Sequence, residues 1–140
     1  MSDARVKNTI TEDVKGLKFI MKLRPVTYHI SNKAIARLTG AKESEDIPGK
    51  NDGEKIKYTG FLAQEVERAA IASDYDFSGY TKPANAEQFY TLRYAEFVVP
   101  LVKAVQDQQA IITSQQKQID DLKKITSKMT MQLGLLTAKH

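Results

Sequence analysis

The chain has no cysteine and no tryptophan, and only two histidines, His29 and His140, far apart in sequence. Without cysteine there are no disulfides and no thiolate metal ligands. Two distant histidines do not make a zinc site, so no metal and no cofactor is expected. No apolar run approaches the ~20 residues of a membrane-spanning helix, and the N-terminus lacks the basic-then-apolar pattern of a secretion signal. The net charge is +4, but lysines alternate with acids in nearly every segment. A basic stripe interleaved with aromatics, the footprint of nucleic-acid binding, is missing. The Gly49-Lys50 pair lacks the spacing of a phosphate-cradling loop.

What is present is a long periodic stretch. From Val98, steps of three and four residues land on Leu101, Val105, Gln108, Ile112, Gln115, Ile119, Leu122, Thr126, Met129, Leu133 and Leu136. This is a heptad seam, the spacing that buries a narrow stripe against partner helices. A lone surface helix needs a wider apolar stripe. Residues 94–140 therefore read as one coiled-coil helix and residues 1–93 as a globular part, near the size at which a core is marginal. Gln108 and Gln115 are polar layers that cost stability while fixing register. Pro100 places the helix start near Val99 or kinks it there.

Along the globular part, Thr9-Ile-Thr-Glu reads as a capping box, with Thr11 as an alternative cap. Ile10, Val14, Leu17 and Met21 then follow at helical spacing. The pattern predicts a helix from about Glu12 to Leu23, weakened by Gly16 and ended by Pro25. Val26, Tyr28 and Ile30 alternate with Thr27 and His29, as in a half-buried strand with His29 on its solvated face. From Ser31 to Asp52 the chain makes an excursion. It holds a short helix over Asn32–Leu38 closed by Gly40, then a charged, turn-rich stretch. A second strand over Lys55–Thr59 pairs back, leaving the excursion as the tip of a protruding hairpin. Gly60 opens another helix with Leu62, Val66, Ala69 and Ala70 inward, and Gln64 and Glu65 either solvated or in a buried polar contact. Tyr75, Phe77 and Tyr80 lie in a loop that is either a contact surface or a lid over the core. Phe89–Leu92 is a short strand. The fold class is α+β and helix-rich: a small globular part with short helices and protruding hairpins, followed by a long C-terminal helix forming a coiled coil, in which the β-branched Ile112 and Ile119 leave two strands or three open.

Four separated stretches converge on one family. They are Ser2-Asp3-x-Arg5-x-Lys7-x-x-Ile10, Leu23-x-Pro25-Val26-x-Tyr28, Gly60-Phe61-Leu62-Ala63-Gln64-Glu65-Val66, and Tyr94 leading into Leu101-Val102-Lys103-Ala104-Val105-Gln106 with Gln108-Gln109. In that order, from Ser2 to roughly Leu122, they resemble the C-terminal intramolecular chaperone domain of phage endosialidases, tailspikes and tail fibres. A related domain occurs in the myelin regulatory factor. The resemblance implies a homotrimer, its long C-terminal helix forming a trimeric coiled coil, that helps an upstream stalk or fibre domain of the same precursor to fold. It also implies self-release by autoproteolysis at the Met1–Ser2 bond, with Ser2 as nucleophile and Lys7 as base. Asp3 and Arg5 would support them, in a phage tail-fibre precursor, in the host cytoplasm during assembly or from a prophage. With only Met1 before Ser2, the chain is expected to correspond to the released product, in which no turnover is expected.

The chemistry has its own demands. A serine hydroxyl needs a base. Lysine serves only when burial or a neighbouring positive charge moves its pKa towards neutrality. Arg5 either supplies that charge or pairs with Asp3. Residues five apart share no face of a helix or strand, so Ser2 and Lys7 meet only if the segment turns or the lysine comes from a neighbouring chain. Two other readings stand beside this one: a non-enzymatic trimerisation and capping domain, and a coiled-coil adaptor presenting the Tyr75–Tyr80 loop.

Overall fold

A computed structural model describes residues 2–41 and 52–138. Most of the charged stretch after Gly40, with Met1 and His140, lies outside these residues. The order of elements is a 3-10 turn (Ala4–Val6), α1 (Leu17–Ile20), β1 (Val26–Tyr28), α2 (Asn32–Thr39), a 3-10 turn (Asp52–Lys55), β2 (Tyr58–Gly60), α3 (Ala63–Ala72), β3 (Tyr80–Thr81), β4 (Thr91–Leu92), a 3-10 turn (Tyr94–Phe97) and α4 (Val98–Thr137). The fold is α+β and helix-rich, with two small antiparallel hairpins, β1–β2 and β3–β4.

The core forms where α1, α3 and the aromatic loop meet the start of α4. Phe19, Val66, Ala69, Ala70, Phe77 and Phe97 are buried together, and Ile20, Leu23, Phe61, Tyr75, Tyr80 and Leu92 pack around them. Val66, Ala69 and Ala70 recur at i, i+3 and i+4, one face of a helix. The alanines leave room for Phe19, whose ring lies 5.3 Å from Tyr75 and 4.9 Å from Phe77. Tyr75, Phe77 and Tyr80 are thus a lid tucked over the core. Ser73 ends α3, and its buried hydroxyl donates to the Lys18 carbonyl at 3.3 Å.

In the first hairpin Val26 pairs with Gly60 and Tyr28 with Tyr58, and the two tyrosine rings stack at 5.8 Å. The antiparallel pairing matches the expectation, but the second strand is Tyr58–Gly60 rather than Lys55–Thr59. Gly60 ends that strand instead of opening a helix. A Cβ there would stand 2.1 Å from the Tyr94 hydroxyl, which accepts a hydrogen bond from the Phe61 backbone N–H at 3.1 Å. The helix starts at Ala63, and Leu62, expected inward, is 42% exposed just before its first turn. On the hairpin's far side α2 is capped by Ser31 and closed by Gly40 in the left-handed region, φ 66°, as glycine favours at a helix end.

Two further expectations are corrected. The helix over Glu12–Leu23 shrinks to Leu17–Ile20. Thr9 has φ 50°, which a capping residue does not adopt, so the capping box does not form and the chain reaches Gly16 without helix. Phe89–Leu92 reduces to the pair Thr91–Leu92, whose partner Tyr80–Thr81 belongs to the segment read as loop.

The helix α4 has 40 residues, a rod of about 60 Å. It opens through the turn Tyr94–Phe97, and Pro100 lies buried in its first turn, where no intrahelical donor is lost. Only Pro100 and Ala104 of α4 are buried. Of the seam, Val105, Ile112, Ile119 and Leu122 are 63, 55, 46 and 62% exposed, and Gln108 and Gln115 are exposed as well.

Candidate functional site

The N-terminal segment turns back on itself, and Asp3 makes it do so. Its carboxylate accepts from the Arg5 backbone N–H at 2.9 Å, capping the turn Ala4–Val6. It also takes the Arg5 guanidinium in a fork, with Nε 3.1 Å from each oxygen and Nη2 2.6 Å from Oδ2. The side-chain bond from Arg5, then the backbone one, holds the Asp3 carboxyl below the usual carboxylate range, and the same contact raises Arg5. This single turn shortens the five-residue gap, and Lys7 Nζ donates to Ser2 Oγ at 3.1 Å.

In the single chain the segment turns so that Ser2 and Lys7 meet, and the Arg5 guanidinium pairs with Asp3. The 3.1 Å separation is within reach of a base taking a hydroxyl proton. In that role the amine must be neutral and accept, the reverse of the bond drawn. All residues from Ser2 to Lys7 are exposed in the single chain, so the desolvation that would favour a neutral amine must come from elsewhere.

Behind this segment, residues 8–16 form a strap that comes alongside α4 from Thr11 to Gly16. Thr11, Glu12 and Val14 face Val99, Val102, Lys103 and Gln106 across a cleft of about 400 Å³. At its end Gly16 touches the helix: a Cβ there would lie 2.6 Å from the backbone of both Lys103 and Ala104 and from Asp107 Oδ2. The next residue, Leu17, donates its backbone N–H to Asp107 Oδ2 at 3.0 Å, while Lys103 Nζ donates to Oδ1 at 2.8 Å. Asp107 thereby does for α1 what an N-cap would, from ninety residues away in sequence. The Lys103 hydrogen bond foremost, then that from Leu17, lowers its pKa. Neither Gly16, a weak position in the helical pattern, nor Asp107 stands out in the sequence. A glycine inside an apolar period is also the mark of close backbone approach.

The other residues singled out fall elsewhere. Gln64 is exposed, and Glu65 pairs at the surface with Arg24, at 2.5 and 3.1 Å. His29 Nδ1 lies 2.9 Å from the Glu54 carbonyl oxygen. Glu67 joins α3 to the second hairpin, accepting from Tyr90 Oη at 2.8 Å and Lys82 Nζ at 3.1 Å. Among the described residues no cluster of His, Asp and Glu is placed to hold a metal ion, and no helix is long and apolar enough to cross a membrane.

Among known proteins, the sequence profile of a peptidase family described as chaperone of endosialidase matches residues 2–75. That range takes in the Ser2–Lys7 turn, the strap, α1, the first hairpin and α3, and stops short of α4. No curated protein and no solved structure matches the chain.

Proposed function

The chain belongs to the chaperone of endosialidase family, and on that footing we propose that it is an intramolecular chaperone that trimerises through α4 and releases itself by one cut before Ser2. Residues 94–140 assemble the chains; residues 1–93 act on the upstream fibre or stalk domain of a phage tail precursor and carry the cut. The observation that carries the cleavage reading is the 3.1 Å contact between Lys7 Nζ and Ser2 Oγ.

In the proposed reaction Lys7, as the neutral amine, takes the Ser2 hydroxyl proton. Ser2 Oγ attacks the carbonyl carbon of the preceding residue, closing a five-membered ring. The C–N bond breaks, Lys7 returns the proton to the leaving nitrogen, and the upstream chain is left as an ester on Ser2. Water hydrolyses the ester, giving an upstream carboxylate and a Ser2 with a free amino group. One peptide bond and one water are consumed, with no cofactor. The base works only when its ammonium form is disfavoured, and assembly on the upstream domain supplies the burial that the single chain lacks.

A second reading, a trimerising cap with an inert Ser2–Lys7 pair, draws on the exposure of both residues. The adaptor reading loses its basis, since Phe77 is 4% exposed and Tyr75 and Tyr80 pack on the core. Expression behind the natural upstream segment separates the first two. The mass of the released fragment should place its N-terminus at Ser2, and Ser2→Ala and Lys7→Ala should leave the precursor whole. A precursor that is never cut, or variants cut at the normal rate, would leave the inert cap as the correct reading.

A further inference from the structure

The Ser2–Lys7 turn is held together internally, so its place on the molecule depends on the strap behind it. We infer that Asp107, with Gly16, is a positioning residue for the cleavage, clasping the strap to α4 so that Ser2 and Lys7 are delivered at a fixed place beside the assembled helices. This rests on the cleavage reading given above.

Three observations carry it. Gly16 lies against the α4 backbone so closely that a Cβ would meet Lys103, Ala104 and Asp107 at 2.6 Å. The Leu17 N–H is spent on Asp107 Oδ2 at 3.0 Å, and Lys103 orients the other oxygen at 2.8 Å. Thr11, Glu12 and Val14 line one cleft with Val99, Val102, Lys103 and Gln106 of α4.

Heptad geometry makes the clasp compatible with assembly. With Val98, Val105 and Ile112 at a and Leu101 and Gln108 at d, Lys103 is at f and Asp107 at c, on the face turned away from the seam. Three helices can close on the seam while each keeps its own strap on the outside. Val102 is at e, beside the seam, so a neighbouring helix seated on Leu101 and Val105 runs along the edge of the strap's cleft. Released from α4, a flexible strap of nine residues lets its far end range over roughly 15–18 Å. A displacement near 1 Å can already cost about a hundredfold in rate.

The test is the cleavage rate of the precursor, measured on the trimer fraction, for wild type, Asp107→Ala, Asp107→Asn, Gly16→Ala and Ser2→Ala. Asp107→Ala and Gly16→Ala should cut at least about tenfold more slowly, against the roughly hundredfold that a misplacement near 1 Å can cost. Asp107→Asn keeps an oxygen for the Leu17 N–H and should stay within about threefold of wild type, since hydrogen-bond acceptance, not charge, is the function assigned. Amide exchange at Leu17 should be fast in Asp107→Ala and protected in Asp107→Asn, a readout that survives if the alanine variant yields little trimer. Wild-type cutting by Asp107→Ala trimers while Ser2→Ala is silent overturns the clasp and leaves the cleavage reading standing. Loss of cutting in Asp107→Asn equal to that in alanine, with Leu17 still protected, overturns it too. Normal cutting by Ser2→Ala removes the cleavage reading, and the clasp's role with it.

Discussion

Phe19→Ala should come close to unfolding the globular part. Phe19 is 0% exposed, and its ring has two aromatic neighbours, Tyr75 at 5.3 Å and Phe77 at 4.9 Å. Burying a phenylalanine stabilises by about 1.5–3 kcal/mol through surface removed from water. Each well-placed aromatic pair adds about 0.5–1.5 kcal/mol. The cavity left by truncation adds a further cost, and core Phe→Ala changes fall at about 3–5 kcal/mol. A loss near 4 kcal/mol is a large share of the ~5–15 kcal/mol that holds a domain. In a unit of this size it lowers Tm by about 15–30 °C. Urea unfolding followed by tyrosine fluorescence, at one fixed protein concentration because assembly shifts apparent stability, measures it. Ile71→Ala, at 70% exposure, is the control and should move stability by no more than about 0.5 kcal/mol. A loss under about 1 kcal/mol for Phe19→Ala would mean that this cluster is not what holds the fold together.

Two further outcomes follow from the charges and the seam. Glu67 is held below the usual carboxylate range by Tyr90 first and Lys82 second. Its contribution is present above the ordinary Glu pKa and lost as pH falls through the lowered one. Tm should therefore drop as pH falls below the ordinary Glu range, less steeply in Glu67→Gln; identical profiles for the two proteins would refute this role for Glu67. Replacing both Gln108 and Gln115 by isoleucine should raise the thermal stability of the assembly and loosen its choice of oligomer. Lower stability in that variant means that the seam is assigned to the wrong face.

What could be read from the sequence was local. The α2 helix is legible through Asn32–Leu38 and the closing Gly40, and the first hairpin through the alternation at Val26–Tyr28, while the Ser31 cap shows only in the structure. The seam shows as an unbroken period of three and four, whereas in the single chain α4 is exposed on every side beyond Asp107. The N-terminal helix failed for the opposite reason. Ile10, Val14, Leu17 and Met21 have helical spacing, yet Ile10 and Met21 are each 73% exposed. The segment is shaped by Gly16 and Asp107, a contact across ninety residues that no window of sequence contains. The β3–β4 pair was missed because two residues per strand are too few to show alternation. Ser2 and Lys7 came from resemblance, and their meeting depends on Asp3, whose cap on a three-residue turn is worth little until the fold is seen.

Sedimentation equilibrium of the chain at micromolar concentration tests most directly whether α4 is an assembly device. One chain is 15.7 kDa. Three times that mass is expected, and the mass of a single chain when the seam residues Ile112, Ile119 and Leu122 are changed to serine. A wild-type chain that sediments as a monomer would contradict this assembly.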